Sequence, residues 1–193
     1  MRLAIILAAG LSRRFGRRAK LLAPLAGRPL LAHAIARAKN EAERVILVTG
    51  ANAAHTRRVA RAAGIETVHA PAYRDGLSAS LSAALRRVRP VDRQLLLLLG
   101  DMPLVPSARR WRLHGADAVR PIVDGQPGHP VLIRAAILRG ARLGGDRGLA
   151  PLLAGRRIRT VPGGPGALLD LDTPHAFRTA RGSWRRLAAL ARA

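Results

Sequence analysis

The stretch Ile5-Ile6-Leu7-Ala8-Ala9-Gly10-Leu11-Ser12-Arg13-Arg14-Phe15-Gly16-Arg17-Arg18-Ala19-Lys20 decides how the rest of this 193-residue chain is read. Its first half is a short apolar run that suits a strand buried on both faces of a parallel sheet, and it breaks at Gly10 into a loop with glycine, serine and closely spaced cations. Such a loop is suited to phosphate. Glycine lets backbone N–H groups approach a polyphosphate, Ser12 can donate a hydrogen bond, and Arg14 and Lys20 can neutralise charge that would repel a nucleophile. No Gly-Lys-Ser/Thr follows the glycines, and the spacing from Gly10 to Gly16 does not match a dinucleotide fingerprint, so neither of those phosphate loops is present.

Beyond this loop, strand and helix signals alternate. A helix is expected from Pro29 to about Ala38, a strand over Arg44–Gly50, a helix over Ala54–Ala63 closed by Gly64, and a short strand at Ile65–Val68. Asp75-Gly76-Leu77-Ser78 opens a further helix toward Arg87, with Ser78 as the expected N-cap at an anion-binding helix start. Gln94-Leu95-Leu96-Leu97-Leu98-Leu99 reads as a central strand, and Gly100-Asp101 places a carboxylate at its C-terminal end, where open α/β sheets bind ligands. Strands at Ala118–Ile122, Gly128–Ile133 and Ile158–Val161 follow, with short helices at Ala135–Arg142 and Leu149–Ala154. Pro162–Gly166 is a loop without packing value. A last strand, Leu168–Pro174, delivers Asp170 and Asp172, and alternation points Asp170 away from the site. A basic amphipathic tail, residues 182–193, is expected to dock by its leucines. The alternation predicts one α/β domain over residues 1–193: a Rossmann-like three-layer sandwich with a mostly parallel sheet.

The formal charge of +23, from 34 Lys+Arg against 11 Asp+Glu, would ordinarily suggest nucleic acid. The arginines are spread along the whole chain and aromatics make up only 3%, so the cations are read as solvated and no specific nucleic-acid partner is expected. The absence of cysteine excludes disulfides and thiolate metal sites and is compatible with a cytoplasmic location. Arg2 and the apolar run to Ala9 imitate a short signal peptide, but that run feeds directly into the polar loop and is read as a strand. No apolar stretch reaches the roughly 18 residues needed to span a bilayer, and no membrane partner is expected.

The pattern Leu7-Ala8-Ala9-Gly10-x-Ser12-x-Arg14-x-Gly16 followed by Lys20, together with Gly100-Asp101-Met102-Pro103, Gly128-His129-Pro130-Val131-Leu132 and Asp170-Leu171-Asp172-Thr173-Pro174, resembles the molybdenum cofactor cytidylyltransferases and guanylyltransferases. These are nucleotidyltransferases of the GT-A-like fold. The resemblance places Leu7, Ala8, Ala9, Gly10, Ser12, Arg14, Lys20, Gly76, Ser78 and Asp101 at the nucleotide. It gives Arg14, Lys20 and Asp101 catalytic roles, Asp101 and Asp172 a Mg²⁺ ion, and Gly128, His129, Pro130 and Asp146 the acceptor. CTP and the molybdopterin cofactor are the implied substrates, and the resemblance admits a recipient molybdoenzyme or its chaperone as a further partner; a monomer is expected. The chain departs from the family pattern at Lys20, separated from Gly16 by three residues instead of two, at Ala70-Pro71, where the family carries Asn-Pro, and in the short arginine-rich segment Pro106–Gly115. The alternatives are a guanylyltransferase or sugar-phosphate nucleotidyltransferase of the same superfamily, and a basic nucleotide- or RNA-binding module without catalysis.

Overall fold

A computed structural model describes residues 1–12, 15, 19–139, 141, 143–144 and 148–190. Strand β1 (Arg2–Ala8) is buried at all seven positions. Two short strands, β2 (Pro24–Leu25) and β3 (Arg28–Pro29), form a small hairpin before helix α1 (Leu30–Glu41). Then come β4 (Arg44–Thr49), α2 (Ala53–Ala62), β5 (Glu66–His69), α3 (Leu77–Leu85) and β6 (Gln94–Leu99). The remainder comprises β7 (Ala118–Val123), β8 (Gln126–Pro127), β9 (Val131–Arg134), α4 (Ala150–Leu153), β10 (Ile158–Pro162), α5 (Pro174–Gly182) and α6 (Trp184–Leu190).

The main sheet runs β10-β7-β9-β6-β1-β4-β5, with β8 paired to β7. β1 pairs in parallel with β4 on one side and β6 on the other, so the chain reverses its direction of travel across the sheet beside β1. That reversal opens a crevice at the C-terminal ends of β1 and β6, the usual ligand position in an open α/β sheet. The sheet is mostly parallel, as expected, but β9 runs antiparallel to both β6 and β7.

Alternation along β1 separates two cores. Leu3, Ile5 and Leu7 face Leu81 and Ala84 of α3 and Leu153 of α4, whereas Ala4, Ile6 and Ala8 face α1 and Ala60 of α2. This gives the α/β/α layering. A third cluster joins Phe15, Leu25 and Leu30 to Leu171, Phe177 and Ala180, and the C-terminal helix docks on it through Trp184 and Leu187. The expected leucine docking of the tail is therefore present over the described part of α6, with Trp184 also packed edge-on to His33 at 4.5 Å.

The structure corrects several local expectations. Ser78 does not cap α3: Gly76, at φ 103°, occupies the N-cap, and Ser78 lies buried inside the first turn. The helix expected over Ala135–Arg142 is only a 3₁₀ turn at Ala135–Leu138 among the described residues. Leu168–Thr173 forms no strand. Pro162–Gly166 does have packing value, because it leads into a 3₁₀ turn, Pro165–Ala167, whose Ala167 is fully buried. A Cβ at Gly166 would lie 2.8 Å from the Leu104 carbonyl carbon.

The arginine-rich segment forms no helix because it is bound elsewhere. The Arg2 guanidinium donates to the carbonyls of Ala108 at 2.9 Å and Trp111 at 3.0 Å, and Glu41 Oε2 accepts from the Ala108 N–H at 2.9 Å. These contacts pin residues 108–111 beside the N-terminal end of β1.

At the opposite end of the sheet, Gly50 follows β4 where the backbone passes close to the glycine loop, and the Ala51 N–H donates to the Ala9 carbonyl at 3.2 Å. A Cβ at Gly50 would collide with that carbonyl oxygen and lie 2.8 Å from both Ala9 Cβ and Tyr73 Cγ. Gly50→Ala should therefore destabilise the protein by roughly 1–3 kcal/mol, about 2–4 °C in Tm per kcal/mol for a chain of this size. Thermal melting checks this, and an unchanged Tm would show that the crossing relaxes freely.

Candidate functional site

The glycine loop, the start of α3 and the end of β6 enclose a cleft of about 630 Å³. Leu7, Ala8, Ala9, Gly10 and Ser12 line one wall, and Tyr73–Leu77 with Ser80 line another. Lys20, Asp101 and Asp172 form its charged end. Ser12 adopts φ 53°, which turns the chain sharply out of the strand. Tyr73, Arg74 and Asp75 were not singled out from the sequence, although they directly precede the Gly-Leu-Ser segment; the Arg74 guanidinium lies 5.6 Å from the Tyr73 ring centre.

Lys20 begins a short 3₁₀ turn, Lys20–Leu22, and its side chain is only 6% exposed. Its ammonium donates to Asp101 Oδ2 at 2.5 Å and to Asp172 Oδ1, and lies 3.9 Å from Asp170 Oδ1. The extra residue before Lys20 thus leaves it within reach of the carboxylates. Burial alone would lower the Lys20 pKa, but the charges and hydrogen bonds of Asp101 and Asp172 outweigh it and raise that pKa above the ordinary lysine value.

Asp101, Asp170 and Asp172 each bring a carboxylate oxygen within 4.8 Å of the others. This overturns the expected outward orientation of Asp170. Alternation does not apply, because Leu168–Thr173 is irregular and is held by the Leu171 N–H donating to the Asp101 carbonyl at 3.3 Å. Thr173 then caps α5, its hydroxyl accepting from the Ala176 N–H at 3.1 Å, which fixes the backbone just beyond Asp172. Three converging carboxylates are the donor set of a hard divalent cation, and the Lys20 ammonium stands among them as a protein-borne cation. The residues fit a divalent metal.

Other expected site residues are distributed differently. Arg14 and Asp146 lie outside the described residues. Gly76 lines the cleft, but Ser78 does not; its hydroxyl donates to the carbonyls of Gly144 at 3.3 Å and Gly148 at 3.5 Å. Gly128, His129 and Pro130 lie beyond Asp101 on the β9 side and do not line the cleft. Gly128 packs tightly on Ala167, and the His129 N–H donates to the Ala167 carbonyl at 2.9 Å. The His129–Pro130 peptide is cis. Burial, with the nearby Arg120 charge second, lowers the His129 pKa to about 4, so its imidazole is neutral at physiological pH.

Residues 4–161 match the model of the MobA-like NTP transferase domain. The chain belongs to this family of nucleotidyltransferases. It is 34% identical over 184 residues to the molybdenum cofactor cytidylyltransferase of Escherichia coli K12, covering 92% of this chain and 94% of that one. Among solved structures, it resembles the homologue of Mycobacterium tuberculosis Rv0371c from Mycobacterium sp. strain JC1, with a TM-score of 0.83, 28% identity, and 96% and 98% of the two chains covered. It also resembles Rv0371c from M. tuberculosis H37Rv in complex with manganese, with a TM-score of 0.76, 25% identity, and 94% and 98% covered. The family and the nucleotidyltransferase fold expected from the glycine loop and the Gly-Asp-Met-Pro motif are thus correct. Among the described residues, no helix is long and apolar enough to cross a membrane.

The three-carboxylate cluster sets a pH dependence. Burial of its inner side, followed by repulsion from Asp101, raises the Asp170 pKa from 3.8 to about 7, although 40% of the side chain meets solvent. Between those values the folded chain binds more protons than the unfolded one, so this group's contribution to stability falls as pH rises through the window. Asp170→Asn should accordingly raise the Tm of the metal-free protein at pH 8 relative to wild type, with the difference vanishing toward pH 4. Melting curves across that range check this, and a pH-independent difference would remove Asp170 from the cluster.

Proposed function

We propose that this enzyme transfers CMP from CTP to the terminal phosphate of the molybdopterin cofactor, forming a dinucleotide and releasing diphosphate. The acceptor phosphate oxygen forms a bond to the α-phosphorus of CTP, and the bond from that phosphorus to the bridging oxygen of the diphosphate breaks. The observation that carries this reading is the 34% identity to the E. coli cytidylyltransferase across nearly the whole of both chains. The geometry supports it: a nucleotide-sized cleft ends in Lys20, Asp101 and Asp172, at the edge of the sheet where two substrates can meet.

The protein needs no covalent nucleophile for such a transfer. Its task is to align the incoming phosphate opposite the leaving group and to offset the charge that develops. The backbone of Ala8–Gly10 and the wall at Tyr73–Leu77 hold the nucleotide, with Gly10 leaving room for close approach: a Cβ there would meet nothing within 4 Å. Arg14 and Lys20 stabilise the leaving diphosphate. Asp101 and Asp172, with Asp170 beside them, hold Mg²⁺, which when bound neutralises phosphate charge. Lys20, held by Asp101 and Asp172, would turn its charge toward phosphate if those carboxylates held a metal. Gly128, His129, Pro130 and Asp146 belong to the acceptor side, the neutral His129 adding no charge there. The enzyme acts as a monomer.

Asp101→Asn should keep the fold, since this carboxylate stands beyond the end of β6, yet lower kcat by at least about a hundredfold. Diphosphate release from CTP and the cofactor, with and without Mg²⁺, measures this; normal metal-dependent turnover would remove Asp101 from the site. The same assay separates a catalyst from a basic nucleotide- or RNA-binding module, which releases no diphosphate.

The choice of base turns on Ala9, which is 3% exposed at the end of β1. Ala9 lines the cleft, and on this reading its methyl group leaves less room for a purine than a glycine would. CTP should be preferred to GTP, and Ala9→Gly should relax the preference, by roughly 10- to 200-fold at most for one methyl group. Rates with the two nucleotides at equal concentration decide it, and a wild-type preference for GTP would make the enzyme a guanylyltransferase.

A further inference from the structure

Arg120, on β7, is a half-buried cation without a counter-charge among the described residues. The only hydrogen bond of its side chain among the described residues runs from Nη2 to the Gly128 carbonyl at 3.3 Å, and its Nε is buried with no partner among them. It has no ion-pair partner among the described residues. This is costly, because a guanidinium withdrawn from water loses hydration that one carbonyl does not replace. Arg159 on β10 also leaves its Nε unpartnered, but its Nη2 makes a short bond to the Arg112 carbonyl at 2.6 Å, at the opposite end of the sheet from the carboxylates; other arginines of the sheet are better satisfied. Arg44 bonds Glu66 at 2.7 Å and Asp92 at 2.9 Å, and the Arg2 guanidinium reaches three backbone carbonyls and Gln94.

The position of Arg120 suggests what would complete it. β7 lies two strands from β6, about 10 Å from it across the sheet, on the side of Asp101 away from the cleft. Val119 pairs with Leu132 of β9, which sets Arg120 level with the middle of that sheet, yet its guanidinium reaches Gly128, the residue before His129, toward the C-terminal edge. Its charge is felt by His129, which also feels Asp101. Arg120 therefore continues the line from nucleotide cleft to carboxylate cluster to His129.

We propose that Arg120 binds a second anionic group of the acceptor, at the far end from the phosphate that reacts. The acceptor it fits carries negative charge at both ends, at least about 10 Å apart, the lateral offset of two strands. One end would lie at the carboxylate cluster, and the other would form charge-assisted hydrogen bonds with the Arg120 guanidinium. This gives the acceptor its orientation without involving the nucleotide. The inference rests on the cytidylyltransferase reading above.

The test compares wild type with Arg120→Gln, which keeps an N–H donor for Gly128 but removes the charge, and with Arg120→Lys, which keeps the charge but not the planar fork. Molybdopterin cofactor and CTP are varied separately in the diphosphate-release assay. The KM for the cofactor should rise about 10- to 100-fold in Arg120→Gln and less in Arg120→Lys, while the KM for CTP and the melting temperature stay close to wild type. An unchanged cofactor KM in Arg120→Gln beside normal wild-type turnover overturns the inference alone, as does an equal rise in both KM values. A wild-type protein that forms no dinucleotide overturns the functional reading and this inference with it.

Discussion

Three carboxylates cannot remain ionised within 4.8 Å of one another unless positive charge stands among them, and in this protein Lys20 supplies it. The lysine is 81 residues from Asp101 and 152 from Asp172 in sequence, so a single ammonium ties the glycine loop, the end of β6 and the approach to α5. That tie is also a point of chemical choice. A divalent cation held by those carboxylates would leave the ammonium available to phosphate, and the pKa of Asp170, raised to about 7 by burial and then by the neighbouring Asp101, registers how crowded the cluster is. The same charges that hold the open end of the sheet together are those a polyphosphate would engage.

Those segments meet because β1 is central and its two neighbours come from different parts of the chain. β4 follows β1 through α1, whereas β6 arrives on the other side only after α2, β5 and α3. The crevice between the two halves needs no insertion to form. Its depth is maintained by close backbone contact, as at Gly50 against Ala9, where a side chain would have no room. The other end of β1 is closed by Arg2, whose bonds to Ala108 and Trp111 hold the arginine-rich segment away from the nucleotide cleft.

The excess of cations changes how arginine is used. With 34 Lys+Arg and 11 Asp+Glu, most guanidinium groups have no carboxylate to pair with, and many bind backbone carbonyls instead. Arg134 reaches Ala116 at 2.9 Å, Arg159 reaches Arg112 at 2.6 Å, and Arg2 reaches three such carbonyls. These bonds close loop ends that a more acidic sequence would close with ion pairs. Arg120 and Arg159 each leave a buried Nε unused among the described residues, and of the two it is Arg120 that lies beside the segment that carries His129.

By itself the sequence determined the family, the buried strands β1 and β6, the α/β alternation and the placement of Asp101 at a strand end. Each of these is written in local hydrophobic runs and in a contiguous glycine loop. Only the tertiary structure decided that Asp170 joins Asp172, because a strand period assumed for Leu168–Pro174 gives way to an irregular path fastened to Asp101 by one backbone hydrogen bond. It also decided that Ser78 bonds the carbonyls of Gly144 and Gly148 and is not a cap, that Pro162–Gly166 leads into a packed turn against Leu104, and that the chain beyond Pro106 is held by Arg2. The physical reason is common to all four. Local patterns record which residues leave water, whereas the partner that receives a polar group or a close backbone contact lies tens of residues away and is chosen only when the chain is folded.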